Sequence, residues 1–158
     1  ISKNVRFTEN ILEENKSARI EIKSFDITEC NLFEKKELDL KKKEKVTRIN
    51  SIGYINNSPS VITFRSIPHE RFPKFINHFV KKQSVTKAFK LLNVKKIIRS
   101  KTLISAEISD KIKSNLLNID VGKPLIKTTS INVDFNKTPI ELSESYFDGS
   151  KIQILVKV

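Results

Sequence analysis

The stretch Pro124–Val158, PLIKTTSINVDFNKTPIELSESYFDGSKIQILVKV, decides the fold. Apolar and polar residues alternate through Pro124–Phe135, through Pro139–Phe147 and again through Ile152–Val158. A period of two belongs to strands with one face buried. Turn-forming residues separate the runs, first Asn136-Lys137-Thr138 and then Asp148-Gly149-Ser150. Three successive strands are therefore predicted. Because side chains two apart share a face of a strand, the middle one sets Glu141, Ser143, Ser145 and Phe147 together. An acid, two hydroxyls and an aromatic ring on one sheet face suit gripping a small polar molecule.

Working upstream, the same pattern recurs 80 residues earlier. Asn56-Asn57-Ser58-Pro59 stands between a strand Val46–Tyr54 and a strand Ser60–Ile67, as Asn136-Lys137-Thr138-Pro139 stands between two later ones. Each pair is preceded by a strand and a short helix. In the first unit the strand is Arg19–Glu29, with a bulge between its two apolar pairs, and the helix is Leu32–Leu38. Asn31 caps that helix and Glu34 closes a capping box. In the second unit the strand is Ile97–Ile108. Its helix is read as capped by Ser109 and running to Leu117, with Ile112, Leu116 and Leu117 inward. Between the units lie two more helical stretches, Pro73–Phe79 and Ser84–Leu92, the second capped by Ser84. The expected fold class is α+β: one antiparallel sheet with an internal pseudo-two-fold duplication and helices packed on it. Ile152–Val158 has no counterpart and is expected to close the sheet. Residues 1–16 are expected to form an arm, leaving 17–158 as the domain.

The 158 residues suffice for one domain with a real core. A hydrophobic share of 38% with 30% charged residues describes a folded chain that needs no membrane. No apolar run approaches the roughly 18 residues of a membrane span, and no signal peptide opens the chain, so a cytoplasmic setting is expected. Cys30 is the single cysteine, which excludes an internal disulfide. The net charge of +12 raises nucleic-acid binding. Lysine dominates it, however, in a chain rich in Ile, Lys and Asn. The densest run, Lys41–Lys45, includes Glu44 and carries no interleaved aromatic residue to stack on a base.

Enzymatic signatures are absent from the sequence: no G-x-S-x-G, no P-loop, no dinucleotide glycine pattern and no metal-ligand cluster. His69 and His78 are the only histidines and read as surface residues. Glu141 and Glu144 fall on opposite faces of one strand and cannot act as an acid–base pair. No catalytic residue, cofactor or metal is expected. A binding pocket is better supported. Ser84, Val85 and Thr86 open a helix, where free N–H groups favour an anion. Arg65 and Arg99 stand on strands among hydroxyl residues and offer planar, permanently charged forks. With Glu141, Ser143 and Phe147 these make a candidate site for an oxyanion with a polar or cationic body.

The sequence also resembles a known family. Arg71-Phe72-Pro73, Ser84-Val85-Thr86-x-Ala88, Arg99-x-x-Thr102, Pro124-Leu125, Ile131-Asn132-Val133-Asp134, Pro139-Ile140-Glu141 and Ile152-Gln153-Ile154 carry the resemblance in that order. Together they look like the UTRA effector domain of GntR-superfamily (HutC-type) bacterial transcription regulators, and most like the phosphonate-metabolism subgroup. Arg6-Phe7-Thr8-x-Asn10 resembles the entry into that domain from a winged helix. The resemblance implies a chorismate-lyase-like fold, a small-molecule effector and a homodimer. It also implies that operator DNA is met only through an N-terminal winged helix-turn-helix domain outside this sequence. In sugar-phosphate-responsive members a helix-starting Ser, a strand Glu, an aromatic and an Arg-x-Arg pair form the pocket. Ser84, Glu141 and Phe147 match the first three, with Phe where Tyr is usual, and Ser51 and Gly53 replace the arginines. A phosphonate or related oxyanion is therefore the expected effector, held by Arg65 or Arg99. The alternatives are an enzyme on the related lyase fold and a basic RNA-binding module.

Overall fold

A computed structural model describes residues 18–153. Six strands form one fully antiparallel sheet: β1 (Ala18–Glu29), β2 (Lys45–Ile55), β3 (Ser58–Pro68), β4 (Ile98–Ile108), β5 (Pro124–Val133) and β6 (Pro139–Asp148). Their order across the sheet is β1-β2-β3-β6-β5-β4. The two units therefore meet at β3 and β6. There Phe64 pairs with Glu144, its own counterpart at the offset of 80, so the pseudo-two-fold axis passes through that pair. The described residues hold four helices: α1 (Leu32–Glu37), α2 (Phe75–Lys82), α3 (Val85–Leu91) and α4 (Lys111–Leu117).

Local chemistry explains most of these elements. The register of β1 against β2 slips between Ile22 and Ser24, the bulge expected from the broken alternation. The β2–β3 hairpin closes on Asn56 and Asn57, at φ 47° and 64°; positive φ at both central residues fits a two-residue turn matching the twist of the strands. Asparagine tolerates that region better than most residues, which suits a chain with only three glycines. The capping box of α1 is present: the Asn31 side chain accepts from the Glu34 N–H, and the Asn31 N–H donates to Glu34 Oε2, both at 2.8 Å.

The helices divide between the two faces of the sheet. Residue parity puts Ile49, Ser51, Thr63, Arg65 and Ser143 on one face, because Ile49 pairs with Arg65 and Arg65 with Ser143. On that face α2 and α3 pack their phenylalanines: Phe75, Phe79 and Phe89 are fully buried with Ile49 and Ile67. Phe75 and Phe89 lie 4.6 Å apart between ring centroids. Each such ring removed from water contributes about 2–3 kcal/mol. The opposite face carries α1 and α4, the two symmetry-related helices. Leu117 of α4 is buried there with Ile62, Leu125 and Tyr146.

Four expectations change. Asp110, not Ser109, caps α4, accepting from Lys113 N–H at 2.8 Å. Ser109 is buried and staples the strand end instead, donating to the Asp120 carbonyl and accepting from Lys123 N–H. Ile112, expected inward, is 70% exposed, and Ser114 and Leu117 are the buried pair of this helix. The first inter-unit helix begins at Phe75, two residues past Pro73, and runs on to Lys82. β5 stops at Val133, where Asp134 turns the chain by accepting from Thr138 N–H, leaving Phe135 exposed. Ile152 and Gln153 are not strand, and the rest of the expected strand, like the expected arm, lies outside the described residues.

Candidate functional site

The face beneath α2 and α3 carries a row of polar side chains contributed by four strands. β3 supplies Thr63 and Arg65, β6 Glu141, Ser143 and Ser145, β5 Ser130 and Asn132, and β4 Arg99 and Thr102. Register sets them side by side: Thr63 with Ser145, Arg65 with Ser143, Asn132 with Glu141, Arg99 with Asn132 and Thr102 with Ser130.

A connected chain of charge-assisted bonds runs through the middle of the row. Arg65 Nε donates to Glu141 Oε1 in an ion pair whose side chains are only 10% and 3% exposed. Asn132 Nδ2 donates to the other Glu141 oxygen at 2.6 Å, and Arg99 Nε donates to Asn132 Oδ1 at 2.7 Å. Arg99 Nη1 reaches Thr102 Oγ1 at 3.3 Å, and Thr102 meets Ser130 at 3.2 Å. Thr63 and Ser145 share a hydrogen bond of 3.0 Å. Asn132 thus links the two arginines through one carboxylate. Buried ions in such a network are tolerable only with their remaining donors and acceptors satisfied. One donor is not: Arg65 Nη1 is buried and has no acceptor among the described residues. The Arg65 guanidinium also lies 5.2 Å from the centroid of the Phe79 ring, which ties the row to α2.

The sequence candidates divide accordingly. Arg65, Glu141 and Ser143 come together, and Arg99 joins them through Asn132. Phe147 is on the same face but six residues beyond Glu141, about 20 Å along an extended strand, so one small molecule does not touch both. Ser84 accepts from Lys87 N–H at 3.4 Å as the cap of α3. Val85 packs against the phenylalanine cluster and Thr86 is buried. All three belong to the helical pair over this face. Ser51 and Gly53, in place of the arginine pair, also face this way, with Ser51 donating to the Thr63 carbonyl at 3.5 Å. The fixed cations of the row are therefore Arg65 and Arg99. Asn132, Thr63, Thr102 and Ser130 were missed as site residues; the alternation that made Asn132 and Ser130 share a face was the available signal, but their alignment with Glu141 and Ser143 depends on a register set across strands.

A hollow lies elsewhere. A cleft of about 400 Å3 on the opposite face is lined by Glu37, Ile98, Lys101, Ile131, Val133 and Lys137. Its floor is apolar, and Lys101 is already paired with Glu37 at 3.1 Å. Chemistry places the candidate site on the polar row, where buried charges need a reason. Among the described residues no group of three or more metal-ligating side chains occurs. No helix there is long and apolar enough to cross a membrane.

Comparison with known proteins agrees with this architecture. The family model described as the UTRA domain matches residues 13–153. A protein of Escherichia coli (strain K12) named "probable fructoselysine utilization operon transcriptional repressor" is 22% identical over 120 residues, covering 76% of this chain and 49% of that protein. The chain spans about half the length of the curated relatives it matches. The effector domain of PhnF from Mycobacterium smegmatis superposes with a TM-score of 0.87 at 14% identity, over 97% of this chain and 94% of that one. The C-terminal domain of the histidine utilization repressor from Pseudomonas syringae pv. tomato gives 0.76 at 13% identity, over 90% and 99%. At such identities the likeness shows a shared fold. The chain belongs to the UTRA domain family.

Proposed function

We propose that this chain is the small-molecule-sensing, dimer-forming part of a transcription regulator, and that its effector is a phosphonate or another small oxyanion-bearing metabolite. The observation that carries the reading is Arg65. Its side chain is nine-tenths buried, one guanidinium edge is held by Glu141, and Nη1 has no acceptor among the described residues. An oxyanion between Arg65 and the hydroxyl of Ser143 or Ser130 would supply that acceptor in a charge-assisted bond. Glu141 and Asn132 would then orient the guanidinium, and Glu141 would attract a cationic or hydroxylated tail.

Support for the class of effector comes from the cations present and those missing. Arg65 and Arg99 remain where the arginine pair of sugar-phosphate-responsive relatives is replaced by Ser51 and Gly53. Ser84, Val85 and Thr86 stand at the start of α3, which packs with α2, the helix whose Phe79 meets Arg65. Self-association is favoured by two long edge strands with exposed apolar residues, Phe25 and Ile27 on β1 and Leu103 and Ile104 on β4. DNA-sequence recognition belongs, in this reading, to a winged-helix domain in another part of the protein.

Isothermal titration against a panel of alkyl- and aminoalkylphosphonates, inorganic phosphate and sugar phosphates tests it. Saturable heat with at least one phosphonate is expected. Binding by a sugar phosphate with none by any phosphonate overturns the assignment of effector class.

A further inference from the structure

From Arg71 to Ala106 the sequence holds ten arginines and lysines and no acidic residue at all; at the chain's overall share of 18 acids in 158 residues, about four would fall there. A general lysine bias adds cations but does not remove acids. The structure shows where this charge goes. Arg71 is paired with Asp134, Arg99 with Asn132 and Lys101 with Glu37. The other seven are Lys74, Lys81, Lys82, Lys87, Lys90, Lys95 and Lys96, all exposed, and none has an ion-pair partner among the described residues. They sit on α2, α3 and the segment that follows. Lys74 and Lys81 are seven residues apart and so on one side of α2, away from buried Phe75 and Phe79. Lys87 and Lys90 are three apart on α3, away from Ala88 and Phe89.

We infer that the outer surface of the α2–α3 pair binds the phosphate backbone of double-stranded DNA without regard to sequence. Surfaces that only need to stay soluble intersperse both signs. A patch of one sign complements a dense polyanion and is stabilised by the counterions it displaces. Competing partners fit less well. Single-stranded nucleic acid needs exposed rings for stacking, and Phe72, Phe75, Phe79 and Phe89 are all buried. An interfacial helix turns a broad apolar face to the lipid, whereas Phe75, Ile76, Phe79, Ala88 and Phe89 are spent on the core and only Val80 and Leu91, each 50% exposed, remain outside it. Carboxylate-bearing peptides favour the arginine fork, whereas every cation here is the point-charge lysine. The expectation that DNA is met only through a separate domain is thereby narrowed to sequence-specific contact.

Fluorescence anisotropy of the 158-residue chain with labelled duplexes of about 30 base pairs and unrelated sequence tests this. The chain should bind all of them alike, with affinity that falls steeply as salt rises from about 50 mM. Combined Lys81→Glu, Lys87→Glu and Lys90→Glu should weaken binding at least about tenfold and lower the salt slope by about 2–3. The control Lys41→Glu, Lys42→Glu and Lys43→Glu makes the same change of net charge on another surface and should stay within about twofold. Absence of binding at low salt, equal loss in both triple variants, or equally tight binding to anionic phospholipid vesicles or polyglutamate overturns the inference.

Discussion

Glu34 is 3% exposed and makes five polar contacts: Arg48 Nε at 2.8 Å and Nη2 at 2.7 Å, Ser66 Oγ at 2.7 Å, and both halves of the capping box. Burial pushes its carboxyl pKa up, but the bonds from Arg48, the Asn31 N–H and Ser66 outweigh burial and hold it below the ordinary value. A carboxyl whose folded pKa is depressed stabilises the fold above its unfolded pKa, about 4.3, and loses that contribution as pH falls through the folded value. Glu34→Gln should therefore lower stability at neutral pH by about 2 kcal/mol, and its urea midpoint should fall less between neutral and acidic pH than that of the parent. Glu141 is a second buried carboxylate held in an ion pair. Glu141→Ala strands the buried Arg65 and should cost about 3 kcal/mol of stability by denaturant titration, where an exposed pair would cost almost nothing. Glu34 was legible in the sequence because a capping box is local. The bonds of the same carboxylate to Arg48 and Ser66 were not, since strands 14 and 32 residues away had first to be placed.

At the scale of elements, what alternation and turn residues dictate was readable and what depends on tertiary contact was not. The offset of 80 between the two Asn-containing turns gave the duplication, and the pairing of Phe64 with Glu144 puts its axis in the sheet. The start of α4 was misplaced because Ser109 and Asp110 are both good caps and sit side by side. Ser109 is taken up by the Asp120 carbonyl and Lys123 N–H, contacts no local pattern reveals. The consequence is measurable. Asp110→Ala should cost about 1 kcal/mol through loss of the cap, whereas Ile112→Ser, at 70% exposure, should stay within about 0.5 kcal/mol in thermal melts. The α2–α3 pair depends more heavily on burial than on propensity. Phe89→Ala removes a ring in contact with Phe72 and Phe75 and should destabilise by about 3–5 kcal/mol.

For the whole molecule, the two faces of the sheet divide the work. One carries the symmetry-related helices and an apolar cleft. The other carries the helices inserted between the repeats, the connected arginines and, outermost, the lysines that have no ion-pair partner among the described residues. The α2–α3 pair thus stands between the candidate effector site and the charged surface, touching the first through Phe79 and Arg65. A ligand changes DNA affinity only by binding unequally to two arrangements, and the α2–α3 pair is the element that the two proposed surfaces share. In this reading a small oxyanion is bound by Arg65 on the polar row. NMR of the arginine side-chain Nε–H groups during titration with 2-aminoethylphosphonate tests it most directly, with Arg65→Lys confirming the assignment. The account predicts a saturable shift of the Arg65 resonance, with smaller shifts at Arg99 and Asn132. Saturable binding that leaves Arg65 unmoved and instead perturbs Ile98, Ile131 and Val133 in the opposite cleft would contradict it.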